Sequence, residues 1–185
     1  MTLSTRMTWA ISLLATFCVA VIVHILVVLT IPLNVVHSAY TDVGNFGPDR
    51  SFNLLPDVKP GEEPLPALDP AMKHATCRFN LADGPVLFTA AVPAPFWSIG
   101  VFNEAGEAVY SLNNRTAGSD ILSMLVITSE QLSILRENPP EDLDELIVIE
   151  TAPMNGFALL RAFVPNKFQS GEIETALKTS YCGGM

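Results

Sequence analysis

Hydrophobic positions fall into two patterns along the chain. Residues 9–31, WAISLLATFCVAVIVHILVVLTI, are continuously apolar and contain no Asp, Glu, Lys or Arg. A helix of that length is about 34 Å long, enough for a hydrocarbon core of about 30 Å. Pro32 cannot continue the hydrogen-bond ladder and ends it. After about residue 73 the apolar runs are short and separated by turn residues. This pattern predicts strands over 75–81, 86–92, 96–102, 107–112, 121–128, 146–151 and 157–164. Ala82-Asp83-Gly84-Pro85 closes the first of these. Asn103-Glu104-Ala105-Gly106 reads as a hairpin connection, and Pro153-Met154-Asn155-Gly156 reads as a second. A short helix is expected over 130–137, capped by Thr128 or Ser129 and stopped by Asn138-Pro139-Pro140. Another is expected over 171–179, capped by Ser170.

The predicted fold is mainly β: an N-terminal transmembrane helix, then a β-sandwich or jelly-roll-like domain with two short helices. Residues 1–8 form a cytoplasmic N-terminus, 9–31 the membrane helix, 32–72 a Pro-rich linker, and 73–185 the β-rich domain. Pro48, Pro56, Pro60, Pro64, Pro66 and Pro70 punctuate the linker, which favours extended, semi-rigid chain. Phe46, Phe52, Leu54 and Leu55 are apolar enough for part of it to pack on the domain. Leu146-Ile147-Val148-Ile149 and Phe157-Ala158-Leu159-Leu160 are apolar on both faces of their strands. A simple sandwich buries one face, so helices, linker or another subunit must cover the second.

Charge orients the chain. The formal net charge is -9. Arg6 is the one charged residue before Tyr40. The positive-inside rule puts the N-terminus in the cytoplasm and the domain in the periplasm of a bacterial inner membrane. Trp9 fits an interfacial anchor. An uncleaved anchor is favoured over a signal peptide, because the apolar run exceeds the 7–15 residues of a typical h-region and His37-Ser38-Ala39 is a poor cleavage site. An acidic domain repels nucleic acid, so no nucleic-acid partner is expected. His24 lies mid-helix with no acidic residue in the span. It reads as a neutral imidazole, or else as a contact to another chain. Cys18 reads as a small hydrophobe.

Cys77 and Cys182 both lie outside the membrane in this topology, and a disulfide between them suits an oxidising compartment. The alternatives are free thiols or a metal pair, for which no further His or Cys completes a ligand set.

Catalytic motifs are sparse. There is no Gly-rich phosphate loop, Cys-x-x-Cys or His-Glu-x-x-His, and neither a cofactor nor a metal is implied. Phe96-Trp97-Ser98-Ile99-Gly100 lacks the first glycine of a nucleophile elbow. A Ser98–His74 dyad is the weakest of the candidate sites. Glu141, Asp142, Asp144 and Glu145 lack the spacing of a calcium loop and read as solvated. The densest polar-aromatic group is Trp97, Tyr110, Asn113, Asn114 and Arg115, residue types that suit a small polar ligand or peptide. The same residues also make good turns.

Several segments together resemble one family. They are Ala75-Thr76-Cys77-Arg78-Phe79-Asn80-Leu81-Ala82-Asp83-Gly84, Pro95-Phe96-Trp97-Ser98-Ile99-Gly100-Val101-Phe102-Asn103, Tyr110-Ser111-Leu112-Asn113-Asn114-Arg115-Thr116-Ala117, and Phe163-Val164-Pro165 with the terminal Cys182. They resemble the short membrane-anchored members of the bacterial domain-of-unknown-function family twelve-fifty-four, common in alphaproteobacteria and paired with family twelve-fourteen. Phe102-Asn103 and Asn113-Asn114 stand where the family pattern has Tyr-Asp and Asn-Asp, which removes acidic groups there. The resemblance implies fold, location and a partner, and it carries no catalytic residues. Three functions follow as expectations: a non-enzymatic envelope module acting through a protein partner or its own copies, a binder of a small ligand or envelope polymer, and a hydrolase using Ser98.

Overall fold

The computed structural model describes residues 4–30, 38–119, 121–137, 139, 140, 143 and 146–185. The chain divides into two compact units, Met1–His37 and Ser38–Met185. The first holds one helix, α1 (Thr5–Thr30), of 26 residues and with none of them buried. It is long and apolar enough to cross a membrane. His24 and the free, exposed Cys18 lie on it.

The second unit is mainly β. Its strands are β1 (Asn53–Leu54), β2 (Met72–Asn80), β3 (Val86–Ala91), β4 (Trp97–Asn103), β5 (Ala108–Asn113), β6 (Ile121–Ile127), β7 (Ile147–Glu150), β8 (Asn155–Phe163) and β9 (Tyr181–Gly183). Helices α2 (Ala39–Val43), α3 (Ser129–Glu137) and α4 (Ser170–Thr179) complete it. One sheet runs β1-β2-β8-β4-β5 and the other β7-β6-β3-β9. In β3, Val86, Phe88 and Ala90 are buried while Leu87 and Thr89 are not, the period-two pattern of a strand with one face in a core. Facing them from the first sheet are Ala75, Cys77, Phe79, Trp97, Ile99, Val101, Ala158, Leu160 and Ala162. The two inner faces form one core, as in a β-sandwich.

Two sequence expectations change here. The compact unit begins at Ser38, so residues 38–72, set apart above as linker, belong to the folded domain. Leu55, Val58 and Leu68 are buried against Leu159 of β8. The Pro-rich segment is thus the cover that the two-faced apolar strand β8 requires. Arg78 holds this segment, pairing with Asp49 at 2.5 Å and lying 5.0 Å from the Tyr40 ring centroid. Arg50, in the left-handed region at φ 55°, donates to the carbonyls of Asp83 and Pro85 at the β2–β3 turn.

The second change concerns Pro153-Met154-Asn155-Gly156, which does not close a hairpin. β7 pairs parallel with β6, while β8 lies antiparallel between β2 and β4 in the other sheet. Parallel neighbours need a crossover, and α3 supplies it between β6 and β7.

Thr128 caps α3. Its Oγ1 accepts from the Gln131 N–H at 3.3 Å, and Gln131 Oε1 accepts from the Thr128 N–H at 3.0 Å, a reciprocal capping box. Gln131 Nε2 also donates to the Leu81 carbonyl at 2.6 Å, fastening the helix to the turn after β2. Gln131→Ala removes the two side-chain bonds, to the Thr128 N–H and to the Leu81 carbonyl, and is expected to lower stability by about 1–2 kcal/mol. Thermal melts of the variant against Glu130→Ala, an exposed neighbour, check this; equal melting temperatures refute it. Ser170, expected to cap α4, is instead its first residue, and the N-cap position is Gln169. The acidic group at Glu141, Asp142, Asp144 and Glu145 lies outside the described residues.

Candidate functional site

The outer face of the five-stranded sheet carries the chemistry. Alternation turns Trp97, Ile99 and Val101 of β4 inward and leaves Ser98 on the outer face. In β8 it turns Ala158, Leu160 and Ala162 inward and leaves Arg161 outward. Register then aligns a row across the sheet. His74 of β2 opposes Arg161 of β8, Arg161 opposes Ser98 of β4, and Ser98 opposes Asn113 of β5.

A cleft of about 390 Å³ opens on this row, lined by Met72, Phe96, Ser98, Ser111, Leu112, Asn113, Thr116 and Arg161. Among the described residues, no acidic side chain lines it. Ser98 is 6% exposed and its Oγ is buried with no hydrogen-bond partner. Arg161 is half-buried, and its Nε likewise lacks a partner. Among the described residues, the salt bridges are those of Lys73 and Arg78, and none reaches Arg161. A half-buried cation without a counter-charge and a buried hydroxyl without a bond are both costly unless something binds them.

Asn113 is held as a turn residue. Its Oδ1 accepts from the N–H groups of Arg115 and Thr116, at 2.9 and 3.2 Å. Asn114 donates from Nδ2 to the Pro95 carbonyl at 3.2 Å and from its backbone to the Trp97 carbonyl at 3.1 Å, bracing the turn against the start of β4. Arg115 is exposed. Trp97, at 2% exposure, is a core residue, and Tyr110 packs against the same core. Of the five polar-aromatic candidates, then, Asn113 lines the cleft, Asn114 and Arg115 belong to the turn beside it, and Trp97 and Tyr110 support it from beneath.

Ser98 and His74 are not brought together. Strand β8 lies between theirs, a backbone separation of about 9–10 Å, and neither Ser98 Oγ nor His74 Nε2 has a hydrogen-bond partner. His74 is 2% exposed. Burial, reinforced by the Arg161 charge and opposed by Asp69, pushes its imidazole down to about 4. The ring is therefore neutral at neutral pH and adds no charge to the row. The residue missing from the sequence reading is Arg161. Its signal is a lone charge inside the apolar strand Phe157-Ala158-Leu159-Leu160-Arg161-Ala162-Phe163.

Cys77 and Cys182 form a disulfide with Cα atoms 6.5 Å apart. It joins β2 of one sheet to β9 of the other, across the sandwich.

No protein-family model and no curated protein matches the chain. Solved structures do. The crystal structure of the VPA0106 protein from Vibrio parahaemolyticus aligns with 79% of this chain at a TM-score of 0.59 and 13% identity. The crystal structure of an uncharacterized protein from Burkholderia cenocepacia aligns with 60% of it at a TM-score of 0.40 and 16% identity. The chain covers 33% and 31% of those two proteins, about a third of their length. The likeness to the Vibrio protein is one of fold.

Proposed function

We propose that this chain is a single-pass inner-membrane protein whose β domain stands in the periplasm and works as a binding module, with the Ser98–Arg161 cleft as its site. The observation that carries the binding reading is the pair of buried, unpartnered polar atoms, Ser98 Oγ and Arg161 Nε, in an open cleft. The periplasmic placement is supported by Arg6 on the N-terminal flank of α1 and by the Cys77–Cys182 disulfide. A C-terminal alkaline phosphatase fusion is expected to be active and a C-terminal green fluorescent protein fusion dark; the reverse pattern refutes the topology. For the site, purified full-length protein in detergent is incubated with periplasmic extract, washed, and its retained small molecules identified by mass. A compound held by the wild type and lost from Arg161→Gln supports the reading, and identical retention by both overturns it.

A second reading, a module acting through a protein partner or a second copy, has support of its own. Strand β5 is the exposed edge of the five-stranded sheet, with Val109 at 36% exposure, and an unpaired edge accepts a further strand. The resemblance to family twelve-fifty-four points to a companion of family twelve-fourteen. Crosslinking from a photoreactive residue at Val109, in cells, separates the two readings.

A further inference from the structure

We infer that the Arg161 cleft takes the carboxylate of a small monoanion with an apolar body; this rests on reading the cleft as a binding site. Polarity comes first. The polar residues lining the cleft are Arg161, Ser98, Ser111, Asn113 and Thr116; Ser98 Oγ and Arg161 Nε are without a partner, and the guanidinium can only donate. Among the described residues no carboxylate lines it, in a chain of formal net charge -9. A half-buried guanidinium, which can only donate, selects a negative ligand that accepts hydrogen bonds.

Charge number comes next. Among the described residues Arg161 is the one cation lining the cleft, and the neighbouring His74 is neutral at neutral pH. A single negative charge is matched by this site, whereas a dianion would carry a second charge with no partner. The planar fork of a guanidinium fits the two oxygens of a carboxylate. Ser98, directly opposite Arg161 in register, is placed to donate to the same group. Size and walls complete the argument. Met72 and Phe96 give the cleft apolar sides, and about 390 Å³ suits a compact organic acid better than a bare inorganic anion.

The probe is benzoate, with benzamide, benzylamine and phenyl phosphate as analogues of neutral, positive and doubly negative charge. Each is titrated into the full-length protein in detergent at neutral pH, by calorimetry and by thermal melting. Benzoate is expected to bind saturably and raise the melting temperature, while benzamide and benzylamine do neither. Arg161→Gln is expected to weaken benzoate by about tenfold or more, and Ser98→Ala by several-fold. Arg115→Gln, outside the cleft, is expected to leave binding unchanged. Arg161→Gln is also expected to melt no lower than the wild type without ligand, because it removes an uncompensated charge. If that variant fails to fold, Ser98→Ala decides. Phenyl phosphate binding more tightly than benzoate, with Arg161 dependence, overturns the carboxylate assignment and leaves the cleft as a site. Absence of binding by every probe, or equal binding by Arg161→Gln, overturns both.

Discussion

Replacing Cys182 with Ser is expected to lower the unfolding free energy of the β domain by about 3–5 kcal/mol. The bond links residues 105 apart in sequence, and closing so long a loop removes much of the entropy of the unfolded chain. In the folded state it spans the sandwich, because Cys77 lies on β2 and Cys182 on β9. β9 is three residues long and pairs with β3 alone, so few other contacts hold it. The effect stays below a complete loss of fold because α4 remains docked through Ile173 and Leu177, both 0% exposed. Urea unfolding followed by the fluorescence of Trp97, which is buried in the core, measures the change. Cys77→Ala/Cys182→Ser should cost about the same as either single change, since one shared bond is lost. Thiol labelling of denatured, unreduced protein should find Cys18 alone, and all three cysteines only after reduction. Reaction of all three without reductant refutes the prediction.

Acidification is expected to destabilise the domain well before its carboxylates titrate, and His74 is the cause. It is the one histidine between residues 38 and 185. Unfolded, the imidazole titrates near 6.5; folded, it stays neutral down to about 4. The unfolded chain therefore binds the proton first. Stability is full above about pH 6.5 and falls as pH drops through the window from 6.5 to 4. At about 1.4 kcal/mol per pH unit inside the window, the loss between pH 7 and pH 5 is about 2 kcal/mol. The groups acting on the ring are Arg161, which opposes its protonation, and Asp69, which favours it. His74→Leu should flatten the profile over this range. Urea titrations at a series of pH values decide the matter, and equal slopes for wild type and variant sink the assignment.

The strands that were legible in the sequence are those whose inward and outward positions alternate, such as β3, where the pattern follows directly from burial of one face. The pairing of β7 was less legible. Turn residues at Pro153-Met154-Asn155-Gly156 fit a hairpin locally, but the order of β6, α3 and β7 calls for a parallel crossover, and that order was already in the sequence. Proline content marked residues 32–72 as unable to form long helices. It could not say that Leu55, Val58 and Leu68 would cover Leu159, because that depends on which face of β8 is left open. The site divides the same way. Ser98 and Asn113 stood out as polar residues in conspicuous segments, while Trp97 of the same segment turned into the core by alternation.

The sequence by itself determined the long apolar helix, the mainly β character of the rest, and the cysteines available for a bond, because each follows from composition and short-range period. Tertiary structure decided the rest. Register across four strands set His74, Arg161, Ser98 and Asn113 in one row, though they lie apart in sequence. The physical reason is that a side chain's face is a local property, whereas its neighbours across a sheet, and whether a buried charge finds a partner there, depend on how distant strands pair.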